Sequence, residues 1–329
     1  MVSNEKIISN WNIGKLINIK KAVKGVSNHN WILNTSEGKF VLRKVSKEKK
    51  LSELEFELKY LNYLKEKGFE YKIPYPIKTK QGKFFLKINS SHYWMYHYIS
   101  GTNIKRFDKK ELKEVAKMMA SYHKIIEKSG LKNGIKKKEV FNRKEIIEEM
   151  EDFRKKLKNK SKLNARDKIF FEESSDLISL FKNLEGKEYS KLKRYPLHRD
   201  INPENTLWKS GKLIGVIDFE NVGSVNDTIM KDIAGMLQYS CRDKKDKHKI
   251  DLKLAKFFLN EYKKYHKLSK KEVSFIPDII TAGAIEDFGY AYWMLINDPE
   301  RAKLYRLKLY SNVAKWFNKN RNKIIRKLS

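Results

Sequence analysis

Residues 195–223, YPLHRDINPENTLWKSGKLIGVIDFENVG, carry the side chains best suited to chemistry. His198, Arg199 and Asp200 are followed by Asn205, and Asp218 stands 18 residues after Asp200, at the end of the apolar run 213–217. One carboxylate at such a site can accept or orient the proton of an attacking hydroxyl. A second carboxylate and an amide oxygen can hold Mg²⁺, which takes hard oxygen ligands and keeps several waters. Phosphoryl transfer asks a protein mainly for this positioning and charge neutralisation. Asp200 fits the first role, Asn205 and Asp218 the second. A structural reading competes at each position, because Asn-Pro-Glu-Asn at 202–205 is good turn chemistry by itself. The joint spacing favours the functional one.

A frame must hold these residues. A hairpin of 205–209 and 212–217, turning at Ser210-Gly211, would bring Asn205 and Asp218 together. Upstream, 17–26, 31–33 and 39–44 read as strands, separated by the turns Ser27-Asn28-His29-Asn30 and Ser36-Glu37-Gly38. Alternation puts Val41 and Arg43 on one face of the third strand and Lys44 on the other. A helix follows, with a capping-box pattern at Ser52 and Glu55, Leu51 and Phe56 as its hydrophobic staple, and Leu54, Leu58 and Leu61 at the helical period. Residues 83–88 and the apolar 93–99 predict two more strands, and 111–126 an amphipathic helix. Residues 136–190 read as a charged helical stretch without turn signals before Asn183. Residues 252–265, 273–296 and 301–327 predict three further helices.

His198-Arg199-Asp200, Asn205, Ile217-Asp218-Phe219-Glu220 and Asp232-Ile233-Ala234 resemble the aminoglycoside phosphotransferase/choline kinase superfamily, small-molecule relatives of the protein kinases. A eukaryotic protein kinase is similar over His-Arg-Asp and Pro-Glu-Asn, but Glu220 stands where its glycine would, and no Ala-Pro-Glu segment follows. Asp287-Phe288-Gly289 does occur, inside a helical pattern, and reads as a decoy. Residues 25–43, GVSNHNWILNTSEGKFVLR, are similar to the opening of homoserine kinases of this type.

The resemblance implies ATP and Mg²⁺ as cofactors. It makes Asp200 the base and Asn205 and Asp218 the metal ligands, and lays the turn at Ser27 and Asn28 over the phosphates. The third strand should present a cation to them. The family pattern calls for lysine, whereas apolar alignment puts Arg43 there, with Lys44 the second choice. Glu57 matches the glutamate that pairs this cation. Backbone groups at Tyr96, His97 and Tyr98 correspond to the adenine-binding hinge, Asp232 to a residue orienting the catalytic loop, and His198 to a brace for it.

Composition sets outer limits. The 329 residues suffice for two lobes, and the single cysteine, Cys241, excludes an intramolecular disulfide. The first residues lack the apolar core of a signal peptide and no run approaches a membrane span, so a cytoplasmic protein without membrane partners is expected. The formal charge of +32 comes from 72 basic and 40 acidic residues spread along the chain, densest at 315–327. That stretch reads as a basic amphipathic helix with Trp316, Phe317, Ile324 and Ile325 as contacts; a solvated face is favoured over nucleic-acid binding.

These readings combine into an α+β, two-lobed, protein-kinase-like fold, with a nucleotide-binding N-lobe of antiparallel sheet plus helix over 1–99 and a mainly helical catalytic and acceptor-binding C-lobe over 100–329. The expected activity is ATP- and Mg²⁺-dependent phosphorylation of a small-molecule hydroxyl: homoserine, an amino sugar or an amino alcohol. A noncatalytic relative of spore-coat type and an RNA-associated basic protein are the alternatives.

Overall fold

A computed structural model describes residues 4–22, 29–132, 143–184 and 187–329. In chain order its elements are α1 (Asn4–Ile8), β1 (Leu16–Lys21), β2 (His29–Thr35), β3 (Gly38–Lys44), α2 (Leu51–Glu66), β4 (Leu86–Ile88), β5 (Ser91–His97), α3 (Lys109–Glu127), α4 (Arg143–Lys158), α5 (Ala165–Asn183) and α6 (Lys187–Ser190). Then follow β6 (Tyr195–Pro196), β7 (Thr206–Lys209), β8 (Lys212–Val216), a 3-10 turn at Glu220–Gly223, β9 (Asn226–Asp227), α7 (Ile229–Ser240), α8 (Leu252–Lys263), α9 (Lys270–Ser274), α10 (Ile276–Asn297), α11 (Tyr305–Lys319) and α12 (Arg321–Leu328). The chain forms two compact units. The first comprises Met1–Arg106, Ser121–Asn133 and Pro196–Asn226, so the stretch carrying Asp200 and Asp218 clusters with the N-terminal sheet; the second is the remainder.

In the first unit the five-stranded sheet runs β1-β2-β3-β5-β4, each neighbour antiparallel. Strand alternation gives it two different faces. Leu33, Phe40, Leu42 and Met95 pack with Ile7, Ile8, Trp11 and Ile13 from the N-terminal segment, and the Trp11 indole N–H donates to the Ile77 carbonyl at 3.0 Å. The register pairs Arg43 with Trp94 and Val41 with Tyr96, which puts these four on the opposite face. Strand β5 stops at His97, two residues short of the expected end, and β4 keeps only the last three residues of the expected 83–88.

Helix α2 begins two residues before the position its capping-box pattern predicts. Lys50 is the N-cap and its side chain makes no capping bond. Ser52 therefore lies inside the first turn, past the position from which a hydroxyl can satisfy the free N–H groups, and Leu51 is 42% exposed rather than stapled to Phe56. The apolar period held: Leu54, Leu58, Leu61 and Leu64 are buried.

In the second unit the charged stretch is not one helix. It breaks between α4 and α5, where the Asn164 side chain accepts from the Asp167 N–H and caps α5. Asp287-Phe288-Gly289 lies within α10, as its helical pattern suggested, with the buried Phe288 stacked on Phe170 at a ring separation of 5.3 Å. The C-terminal basic stretch is two helices, with Phe317 and Ile324 buried inside the unit instead of available as contacts. Part of its charge is spent internally. Lys315 pairs with Glu173 at 2.9 Å and Asp176 at 3.1 Å, and Arg321 forms a two-point bridge to Asp278 at 2.8 and 2.9 Å. Among the described residues no helix is long and apolar enough to cross a membrane.

Candidate active site

The hairpin β7–β8 forms as its sequence demands. Ser210 (φ 49°) and Gly211 (φ 72°) take the paired left-handed conformations of a type I′ turn, whose twist matches that of the strands. At the open end, Ile217 N–H donates to the Asn205 carbonyl at 2.9 Å, so the residue before Asp218 is bonded to Asn205.

Asn205 also organises Asp200. Its Nδ2 donates to the Asp200 main-chain oxygen at 2.9 Å and to Oδ2 at 2.7 Å, while Asn202 Nδ2 donates to Oδ1 at 2.7 Å. Two acceptors on one side fix which way the Asn205 amide faces. They also leave its Oδ1 without a hydrogen bond among the described residues. Asp200 as a residue is exposed. Partial desolvation by the loop raises its carboxyl above the ordinary aspartate range; His198 and the Asn202 bond oppose that shift, and the charge of Asp218 adds to it.

His198 is buried and braces the loop, as expected. Its Nδ1 accepts from the Asp200 N–H at 3.3 Å, which leaves Nε2 to donate to the Ile217 carbonyl at 2.9 Å. Phe219 packs edge-on against the same ring at 4.6 Å. Tyr60 of α2 donates to the Pro196 carbonyl at 3.0 Å, which ties that helix to the start of the loop. Both chemically loaded segments contain a strained backbone: Arg199 has φ 64° and Asp218 φ 70°. Left-handed non-glycine residues cost on the order of 1–3 kcal/mol each and persist where the surroundings over-determine them.

Opposite the hairpin stands Arg43. Its Nη2 is 3.0 Å from Glu220 Oε2 and 3.3 Å from Asp218 Oδ1, and its Nη1 is 3.9 Å from Glu57 Oε1. Burial works against its charge, but Glu57, Asp218, Tyr96 and Glu220 outweigh it and hold the pKa above the usual arginine value. Glu57 is bonded at its other oxygen by Lys49 Nζ, 2.5 Å away, which also donates to the Glu220 carbonyl at 2.9 Å.

The residues singled out from sequence fall into four groups. Asp200, Asn205, Asp218, Arg43 and Glu57 come together in the first unit. Lys44 does not join them; its ammonium lies over the Tyr93 ring at 5.9 Å, on the other face of β3. Ser27 and Asn28 lie outside the described residues. Past the end of β5, where a hinge was expected, Tyr98 N–H is already bonded to the Lys39 carbonyl at 2.9 Å, so an adenine contact through it would displace that bond. His97 pairs with Phe40 in the sheet. Tyr96 faces the Arg43 cluster with its side chain, although only its backbone was expected to matter; burial pushes its hydroxyl up to about 12 against the pull of Arg43.

Two participants went unnoticed in the sequence. Glu220 was read only as a departure from glycine, and Lys49 sits among Lys47 and Lys50 with nothing to distinguish it. Gly223 explains how Glu220 and Lys49 can meet: a Cβ there would come within 2.5 Å of the Glu53 carbonyl, so glycine lets the 3-10 turn press against the first turn of α2.

The donor set fits a magnesium ion. Asp218, with its side chain 39% exposed, and the uncommitted oxygen of Asn205 are hard oxygen donors on bonded neighbouring segments. Among the described residues there is no cluster of three or more His, Cys, Asp or Glu suited to an all-protein metal cage, and Mg²⁺ beside phosphates needs only one or two protein ligands.

Comparison with known proteins agrees with this frame. The sequence profile described as "Phosphotransferase enzyme family" matches residues 18–268. A homoserine kinase of Sinorhizobium fredii (strain NBRC 101917 / NGR234) is 24% identical over 278 residues, which covers 84% of this chain and 79% of that protein. The spectinomycin phosphotransferase solved with ADP and spectinomycin has a TM-score of 0.67 at 15% identity, covering 94% of each chain. An amicoumacin kinase solved with AMP-PNP and Ca²⁺ also reaches 0.67, at 14% identity over 97% of this chain and 92% of that one. The fold is protein-kinase-like, and the chain belongs to the phosphotransferase enzyme family.

Proposed function

We propose that this phosphotransferase moves the terminal phosphoryl group of ATP, with Mg²⁺, to a hydroxyl of a small molecule. The observation that carries the reading is the bonding of Asn205 to both Asp200 and Ile217, which ties the base and the two metal-binding side chains into one loop system. Asp200 accepts or orients the proton of the acceptor hydroxyl. Asn205 and Asp218 would hold the metal, which would neutralise charge on the phosphates. Arg43, held by Glu220 and Asp218, supplies a second positive charge at the same end of the site. Guanidinium suits the task because its planar donors match phosphate oxygens at two points.

The homoserine kinase relatives favour homoserine as the first acceptor to try, with other amino alcohols and amino sugars next. The test is ADP release with Mg²⁺-ATP against a panel of such hydroxyl compounds, run beside Asp200→Asn and in excess EDTA. Turnover on one acceptor class that falls about 10²–10⁴-fold in the variant, and stops on chelation, is expected. Turnover that survives Asp200→Asn would remove the residue from its role. Absence of nucleotide binding would overturn the reading as a whole.

A further inference from the structure

Lys49 has a place in this site that the family comparison does not assign. It lies in the loop between β3 and α2 with its side chain only 9% exposed, and its two acceptors belong to different elements: Glu57 Oε2 on α2 and the main-chain oxygen of Glu220 in the turn after Asp218. Arg43, on the strand expected to pair with Glu57, gives its hydrogen bonds to Glu220 and Asp218 instead. Its remaining approach to Glu57 is 3.9 Å, and the Oε1 it approaches has no hydrogen-bond partner among the described residues.

We infer that Lys49 is a positioning residue: it takes over the ion pair with Glu57, pins α2 to the Glu220 turn, and so releases Arg43 to serve the phosphate end of the site.

Two physical arguments support this division. A buried carboxylate that loses its only close cation is left uncompensated at high cost, so Arg43 can leave Glu57 only if another cation holds it. Lys49 does. Second, the three carboxylates Glu57, Asp218 and Glu220 face two cations, Arg43 and Lys49, an excess of one negative charge. With a divalent cation bound at Asp218 that balance would reverse, and the guanidinium would be free to turn from Asp218 toward the phosphates.

The phosphate part of the inference rests on the kinase reading above; the tie between α2 and the turn does not. The experiment therefore has two arms, applied to the full chain as wild type, Lys49→Met, Lys49→Gln, Lys49→Arg, Glu57→Gln and the Lys49→Met/Glu57→Gln double variant. The first arm measures Mg²⁺–AMP-PNP affinity by calorimetry, and kcat and KM with the best acceptor. The second measures amide hydrogen exchange of the nucleotide-free protein. Lys49→Met should lose about 10- to 100-fold in kcat or nucleotide affinity through misplacement of Arg43, with the acceptor KM unchanged and faster exchange confined to α2 and residues 220–223. Arginine should restore most of the loss, and the double variant should be no worse than Lys49→Met. If Lys49→Met does not fold, Lys49→Gln carries the same expectations. Affinity, kcat and exchange all within twofold of wild type would overturn the inference. Should the wild type bind no nucleotide, the kinase reading falls, and the exchange arm alone decides whether Lys49 ties the two elements.

Discussion

Asn205 Nδ2 touches Asp200 twice, at the main-chain oxygen (2.9 Å) and at Oδ2 (2.7 Å). One side chain thus orients the Asp200 carboxylate and keeps its own oxygen for the proposed metal, so the proposed base and metal site share one amide. With Asn202 holding Oδ1, the Asp200 carboxylate cannot rotate without breaking a bond.

This geometry has a pH signature. The Asp200 carboxyl is held above the ordinary aspartate value by desolvation, and a base works only when ionised, so the acid limb of the kcat/KM profile should lie above about pH 4. The Asn202 bond stabilises the ionised form and lowers the pKa. Asn202→Ser, which can keep the turn while shortening the donor, should move that limb to higher pH. A limb unchanged or shifted to lower pH would show that the bond does not tune the base.

Arg43 should matter to stability as well as turnover. Removing it from beside Glu57 breaks a buried ionic cluster, which typically costs about 3–5 kcal/mol. The lower end is expected here, because Lys49 still compensates Glu57 while Asp218 and Glu220 are partly exposed and screened by water. Arg43→Met should therefore lower the urea midpoint clearly, and Arg43→Lys less so. Equal midpoints for Arg43→Met and wild type would mean that the cluster contributes nothing net.

Gly223→Ala tests the close approach of the Glu220 turn to α2. The new methyl would meet the Glu53 main chain, which has no side-chain freedom with which to yield. A destabilisation of about 1–3 kcal/mol is expected from such overpacking, read as a lower melting temperature, accompanied by loss of turnover. An alanine variant as stable and active as wild type would mean the turn can move away at no cost.

Glu173 offers a linkage test in the helical unit. Burial alone would raise its pKa, but bonds from Lys308, Lys315 and Ser311 outweigh that and pull it down to about 2. A carboxyl depressed on folding stabilises the protein above its unfolded value, near 4.3, and that stabilisation is lost as pH falls toward 2. Lys315→Met should thus destabilise measurably at pH 7, and the difference from wild type should shrink toward pH 2. A gap independent of pH would assign the effect to packing of the lysine stem.

Much of the site was legible because it depends on local chemistry. Ser210-Gly211 demanded a tight turn, alternation separated Arg43 from Lys44, and the spacing of Asp200, Asn205 and Asp218 survives intact in the folded loops. What escaped depends on contacts between distant segments. Lys49 looks like its neighbours until α2 and the Glu220 turn are brought together around it. Ser52 failed as a cap because α2 starts two residues earlier than the local pattern, with Lys50 as its N-cap. The buried Phe317 and Ile324 show the same limit, since an amphipathic stretch does not reveal whether its apolar side meets a partner or its own core.

The two-faced sheet makes strand register decide which side chain meets the acidic cluster. Phe40 and Leu42 seal the N-terminal segment while Arg43 looks the other way, so the turn at Ser36-Glu37 works as a ruler for the cation. One residue inserted there would present leucine to the acidic cluster and bury arginine in the apolar layer. Two would restore the faces but carry the guanidinium roughly 7 Å along the strand, out of reach of Glu57 and Asp218 alike. A loop far from the chemistry thereby tolerates changes of residue type more readily than changes of length.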